Sequence, residues 1–99
     1  MAMKIFISQP MNGLSEDEIK RTRLNIEQRI KQLFGNVDII NSFYLEGGLK
    51  PLFNLGRSIQ LLSEADIAYF APGWSKARGC RIEYMCASDY GIETFFEEE

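Results

Sequence analysis

The chain contains no histidine. That absence excludes Ser-His-Asp triads, imidazole general bases and the commonest metal ligand together. Only two cysteines are present, Cys80 and Cys86. They fall in a segment read as one helix, where a spacing of six places them on different faces, beyond the reach of an intrahelical bridge. No cluster of thiols and carboxylates has suitable ligand spacing, so neither a metal nor a cofactor is expected. Long apolar runs are also missing, and no segment is expected to cross a bilayer. The opening residues, Met1-Ala-Met-Lys-Ile-Phe-Ile, lack the cationic start and long apolar core of a signal peptide. The default compartment is therefore the cytoplasm. Finally, there is no basic excess: the formal net charge is −3, and Glu97, Glu98 and Glu99 account for it. The near-neutral body carries no nucleic-acid footprint, so neither a nucleic-acid polymer nor a membrane is expected as a partner.

What is present is enough apolar residue for one core: 45% of 99 residues, read as a single domain over 1–99. Lys4-Ile-Phe-Ile-Ser8 is a short β-branched and aromatic run suited to a buried strand. Gln9 to Gly13 breaks it, and Met11-Asn-Gly13 reads as a turn and a candidate lid. Ser15 and Glu18 have the spacing of a capping box. Ile19, Ile26, Ile30 and Leu33 follow as the apolar stripe of an amphipathic helix, with charges between them and Gly35 at its end. Val37–Ile40 reads as a second strand. Asn41 to Pro51 reads as a loop, and Leu52, Leu55, Ile59 and Leu62 as a second helical stripe. Asp66–Phe70 is the third strand, Ala77–Tyr90 the third helix and Ile92–Phe96 the fourth strand.

The alternation βαβαβαβ predicts an α/β fold with a parallel sheet. Right-handed crossovers narrow it to a small flavodoxin- or Rossmann-like three-layer sandwich, with four parallel strands in the order 2-1-3-4 and three helices. Ligands in such sheets bind beyond the carboxyl ends of the strands at the switch point, here between strands one and three. Those ends are Ser8-Gln9-Pro10-Met11 and Ala71-Pro72-Gly73-Trp74.

Several residues there have both a chemical and a structural reading. Glu83 suits a carboxylate nucleophile or general acid near a helix N-terminus, whose dipole favours the ionised form; it equally suits a solvated helix residue. Arg78 suits a phosphate or carboxylate contact, or a surface charge. Gly79 suits close approach of a ligand, or a tight turn. Trp74 suits stacking on a base or ribose, or capping of the core. Ser8 suits a ligand hydrogen bond, or satisfaction of its own strand end. Phe43 and Tyr44, after strand two, suit a pocket wall. Asp66 lies at the opposite end of the sheet and reads as structural, and Cys80 reads as a packed residue without a base partner.

Lys4-Ile-Phe-Ile-Ser-Gln-Pro-Met-Asn-Gly13, Asn41-Ser-Phe43, Ala65-Asp-Ile67 and Arg78-Gly-x-x-x-Glu83 resemble the nucleoside 2-deoxyribosyltransferase superfamily. The likeness covers nearly the whole chain and is nearest to a short bacterial and phage branch; its most specific part is the Arg-Gly-x-x-x-Glu element. The resemblance implies that Glu83 attacks C1′ of a nucleoside and expels the base. It also implies that the strand-one end and the Gly73–Gly79 turn hold base and sugar, and that subunits assemble as a homo-oligomer completing one another's sites. Ser58 stands where active members commonly carry an Asp, and Ala77 where they often carry Ser or Asp. These departures keep a second reading open: a non-catalytic sponge, of phage type, that sequesters an ADP-ribose-type or cyclic nucleotide signal.

Overall fold

In a computed structural model, residues 2–42 and 50–97 are described. The elements are β1 (Lys4–Ser8), α1 (Glu16–Phe34), β2 (Asp38–Ile39), α2 (Pro51–Leu62), β3 (Ile67–Phe70), α3 (Arg78–Asp89) and β4 (Glu93–Phe96). A short 3-10 turn, Trp74–Lys76, precedes α3. The strands form one parallel sheet of order β2-β1-β3-β4, the flavodoxin-like arrangement, one of those that alternation and handedness allow.

Strand alternation splits the core into two layers. Ile5 and Ile7 of β1, with Ile67 and Tyr69 of β3, face Ile26 and Ile30 of α1. Phe6, Ala68 and Phe70 point to the opposite face, against Leu62 of α2 and Ala87 of α3. Helices therefore cover both faces, and Ser8, in phase with Phe6, is turned toward α3.

The local chemistry explains where α1 begins and ends. The Ser15 hydroxyl accepts from the Glu18 backbone N–H at 3.1 Å, and the Glu18 carboxylate accepts from the Ser15 N–H at 3.3 Å. Three acidic residues, Glu16 to Glu18, occupy the first turn, where the dipole favours them. Gly35 follows the last turn at φ +77, a conformation costly for any side chain.

Two details of α1 differ from the amphipathic pattern. Leu33 is exposed, and Phe34 takes its place by packing edge-on to Phe95 at 5.3 Å. Arg23, one of the charges between those apolar positions, is buried on the apolar stripe, one turn beyond Ile19. Its guanidinium donates to the Ile40 carbonyl at 3.0 Å and to the Glu27 carboxylate at 3.3 Å, which ties the end of β2 to the helix. Burial lowers its pKa from the usual arginine value, against the partial compensation of Glu27.

The second helix departs further from expectation. Leu52 is 77% exposed, whereas Leu62 is buried. Among the described residues of α2 only Leu62, at its C-terminal end, is buried. Asp66, as expected, is structural: its carboxylate accepts from the Lys4 N–H at 2.8 Å at the opposite end of β1 from the strand's carboxyl terminus. Within the C-terminal acidic run, Glu97 is held by both Arg29, at 2.5 and 3.0 Å, and the Tyr69 hydroxyl.

Loss of the cap on α1 is measurable. Ser15→Ala removes one side of the reciprocal pair and is expected to cost about 1 kcal/mol, lowering Tm by roughly 4–8 °C in a domain of this size. An unchanged melting curve would mean the cap carries no weight in this fold.

Candidate functional site

The β1–β3 pairing ends with Ser8 opposite Phe70, and the chain turns away from the sheet at both places. Beyond these ends lies a cavity of about 730 Å³, within the range of small-molecule sites. Three pieces of chain wall it. Gln9, Pro10, Met11 and Asn12 continue from β1. Asn54, Leu55 and Ser58 come from the exposed half of α2. Ala77, Arg78, Gly79, Cys80 and Glu83 come from the start of α3.

Glu83 is the only carboxylate on this wall among the described residues, and it is 8% exposed. The Ser8 hydroxyl donates to its Oε1 at 2.6 Å. That bond follows from alternation, since Ser8 is the last β1 residue on the α3 face. Burial pushes the Glu83 carboxyl up from its ordinary 4.5 to about 7; the Ser8 hydrogen bond acts in the opposite direction. The helix dipole, which the sequence argument expected to favour the ionised form, is outweighed. Glu83 lies in the second turn of α3, and the dipole acts mainly on the first. Cys80, one turn earlier, is pushed up by burial to about 11 and remains a thiol at neutral pH, which removes it as a nucleophile.

Seven of the residues named at the sequence level, Gln9, Pro10, Met11, Ser58, Arg78, Gly79 and Glu83, share this wall, and Ser8 stands behind it on Glu83. Arg78 is exposed at the rim, as is Lys50. Phe43 and Tyr44 lie outside the described residues. Two assignments are corrected. Trp74 is absent from the wall; its ring lies 5.1 Å from both Tyr84 and Phe96 and 5.3 Å from Phe70, inside an aromatic cluster on the sheet. Four large aromatic surfaces in contact bury more apolar area than a wet cleft would allow a single indole. Gly73 is likewise off the wall: at φ +86 it opens the 3-10 turn, a backbone task rather than a ligand contact.

Other residues were missed. Asn54, four residues before Ser58 on α2, also lines the cavity. The signal was an i,i+4 polar pair inside an apolar helix. Ser42 reaches the wall and accepts from the buried Arg23 at 3.4 Å, a long-range contact invisible to local pattern.

No group of three or more His, Cys, Asp or Glu side chains among the described residues is placed to hold a metal ion, and no helix there is long and apolar enough to cross a membrane. The chain belongs to the family described as a domain of unknown function, DUF4406, which matches residues 3–96. No curated protein matches it.

Two measurements probe the wall. Because folding raises the Glu83 pKa, the native state holds this proton more tightly than the unfolded chain. The resulting stabilisation is full below about 4.5 and is lost as pH rises to about 7. At about 1.4 kcal/mol per pH unit the loss is on the order of 3 kcal/mol. Chemical denaturation of Glu83→Gln should show that slope removed, and a wild-type slope in the variant would refute the assignment. Gly79 sits inside the helix, and a Cβ there would meet only Leu55 Cδ1, at 3.9 Å. Gly79→Ala should therefore raise stability by up to about 1 kcal/mol, while any loss of ligand affinity would report close approach of the ligand to that backbone.

Proposed function

We propose that the chain binds a small nucleoside or nucleotide in this cavity and cleaves or transfers the sugar at its N-glycosidic bond, with Glu83 as the nucleophile. The observation that carries the reading is a buried carboxylate on the wall of a nucleoside-sized cavity, at the switch point of the sheet. The resemblance of the Arg78-Gly-x-x-x-Glu83 element to deoxyribosyltransferases supports it. Arg78 and Lys50 at the rim supply positive charge for a phosphate, so phosphorylated and free nucleosides both suit the site.

In this mechanism Ser8 holds one oxygen of Glu83, and the other attacks C1′. The C–N bond breaks with its electron pair on the base nitrogen, which takes a proton from water. In the second step water, or the nitrogen of an acceptor base, attacks C1′, its proton passes to solvent, and Glu83 leaves as the carboxylate. This is the double displacement of retaining glycoside chemistry. A homo-oligomer working in the cytoplasm accompanies the reading.

A second reading rests on a specific feature. Glu83 has no carboxylate partner on the wall among the described residues, and Ser58, which lines it, stands where the resemblance implies an acid that assists the leaving base. A pocket that binds without turnover, as a sponge for an ADP-ribose-type or cyclic nucleotide signal, fits that absence.

Base release from deoxynucleosides and their monophosphates, followed by chromatography, separates the two. The enzyme reading expects Glu83→Ala to lose roughly 10³-fold or more of the rate. It also expects wild-type kcat/KM to climb with pH and level off above about 7, as the nucleophile ionises. Equal rates in wild type and variant exclude it. Tight calorimetric binding with recovery of intact ligand supports the sponge.

A further inference from the structure

The same wall carries a feature that glycosidic chemistry does not use. Gln9 is 6% exposed, and its side-chain Nε2 donates to the Ile19 carbonyl at 3.3 Å. Of the two ends of the amide only the NH2 can donate to a carbonyl, so this bond determines which way the amide faces. The Oε1 is left buried and, among the described residues, with no hydrogen-bond partner. Asn54 of α2, which lines the same cavity, has a second buried oxygen in the same condition. Unpaired buried acceptors are rare in native proteins, and each is costly to leave unmade. Here both belong to residues lining one cavity, whose buried carboxylate, Glu83, is a third acceptor when ionised.

We propose that Gln9 and Asn54 are specificity residues that select a ligand presenting hydrogen donors to the inner wall: the exocyclic amine of a base, or a sugar hydroxyl. The inference rests on the nucleoside reading of the pocket and adds to it which nucleosides are accepted. Both oxygens are closed to solvent. A ligand seated against the wall pairs with them only as the amide ends turn toward it, about terminal torsions that are soft. A ligand lacking the donor leaves the oxygens buried and unpaired, and one offering an acceptor adds repulsion. The asymmetry between a made and an unmade buried hydrogen bond sets the selectivity. Gln9 is the stronger determinant, because Ile19 prevents its amide from reversing, whereas an asparagine amide without such a constraint can present either end.

Calorimetric titration with pairs of nucleosides differing by one donor tests this in the full-length chain, wild type and Glu83→Gln. The pairs are 2′-deoxyadenosine against the 2′-deoxyriboside of unsubstituted purine, 2′-deoxycytidine against the 2′-deoxyriboside of 2-pyrimidinone, and adenosine against 2′-deoxyadenosine. The first two identify an amine as the donor, and the third identifies a sugar hydroxyl. At least one pair should favour the donor-bearing member by about tenfold or more, the effect of one buried hydrogen bond. Gln9→Met and Asn54→Leu should collapse that ratio toward one while leaving the affinity of the donor-free member unchanged or improved. A merely structural role would weaken both members equally and preserve the ratio. Binding of all members with no preference overturns the inference and leaves the nucleoside reading standing. If no nucleoside binds, the nucleoside reading fails. The wall is then tested alone by ligand-observed NMR with 4-aminopyrimidine against 4-methoxypyrimidine, where preference for the amine that is lost in Gln9→Met sustains the inference and its absence overturns it.

Discussion

The parallel pairing of β1 with β3, Ile5 opposite Ile67 through Ser8 opposite Phe70, sets where both strands stop. Because they stop together, the chain leaves the sheet on both sides of one gap. One exit leads through Gln9 and Pro10, the other through the Gly73 turn into α3. A shift of register by a single residue would turn Ser8 toward α1 and separate its hydroxyl from Glu83. The Ser8–Glu83 hydrogen bond is thus a readout of sheet register, and it joins the two central strands to the first helix turns that wall the cavity.

The two faces of the sheet divide the work. On the α1 side the packing is apolar and closed: Ile26 and Ile30 seal Ile5, Ile7 and Tyr69. The buried Arg23 is the exception: it donates to Glu27, to the Ile40 carbonyl just past β2 and to Ser42, while its Nη1 has no partner among the described residues. On the other face closure is incomplete. The aromatic cluster of Phe70, Trp74, Tyr84 and Phe96 fills the region over β3 and β4. Among the described residues nothing comparable fills the region over the end of β1, where α2 is buried only at its last turn. The cavity is what remains when one helix packs at one end. Its walls are desolvated enough to move a carboxyl from 4.5 to about 7, which makes Glu83 a group that titrates in the physiological range rather than a fixed charge.

Much of this was legible along the chain. The capping box at Ser15, the glycine stop at Gly35, the apolar strands and the alternation of elements are local signals, and each has a local cause. The strand order is one that alternation plus handedness allow, and with it the crevice and its Glu83 followed. Leu33 and Leu52 were misjudged because helical period says which residues share a stripe, not how far along its length the stripe finds a partner. Trp74 was misjudged for a related reason: an aromatic beside a predicted crevice belongs to whichever neighbour offers the larger apolar contact, and here that is a cluster assembled from β3, α3 and β4.

The amino-acid sequence by itself determined the elements, their order and the end of the sheet at which a ligand site falls, since these depend on short-range sterics, capping and period. Tertiary structure alone decided the protonation of Glu83, the bond that orients it and the isolation of the Gln9 and Asn54 oxygens. Those depend on how much water is excluded and on which distant groups come within hydrogen-bonding reach, and solvent exclusion is a property of packed surfaces rather than of any segment.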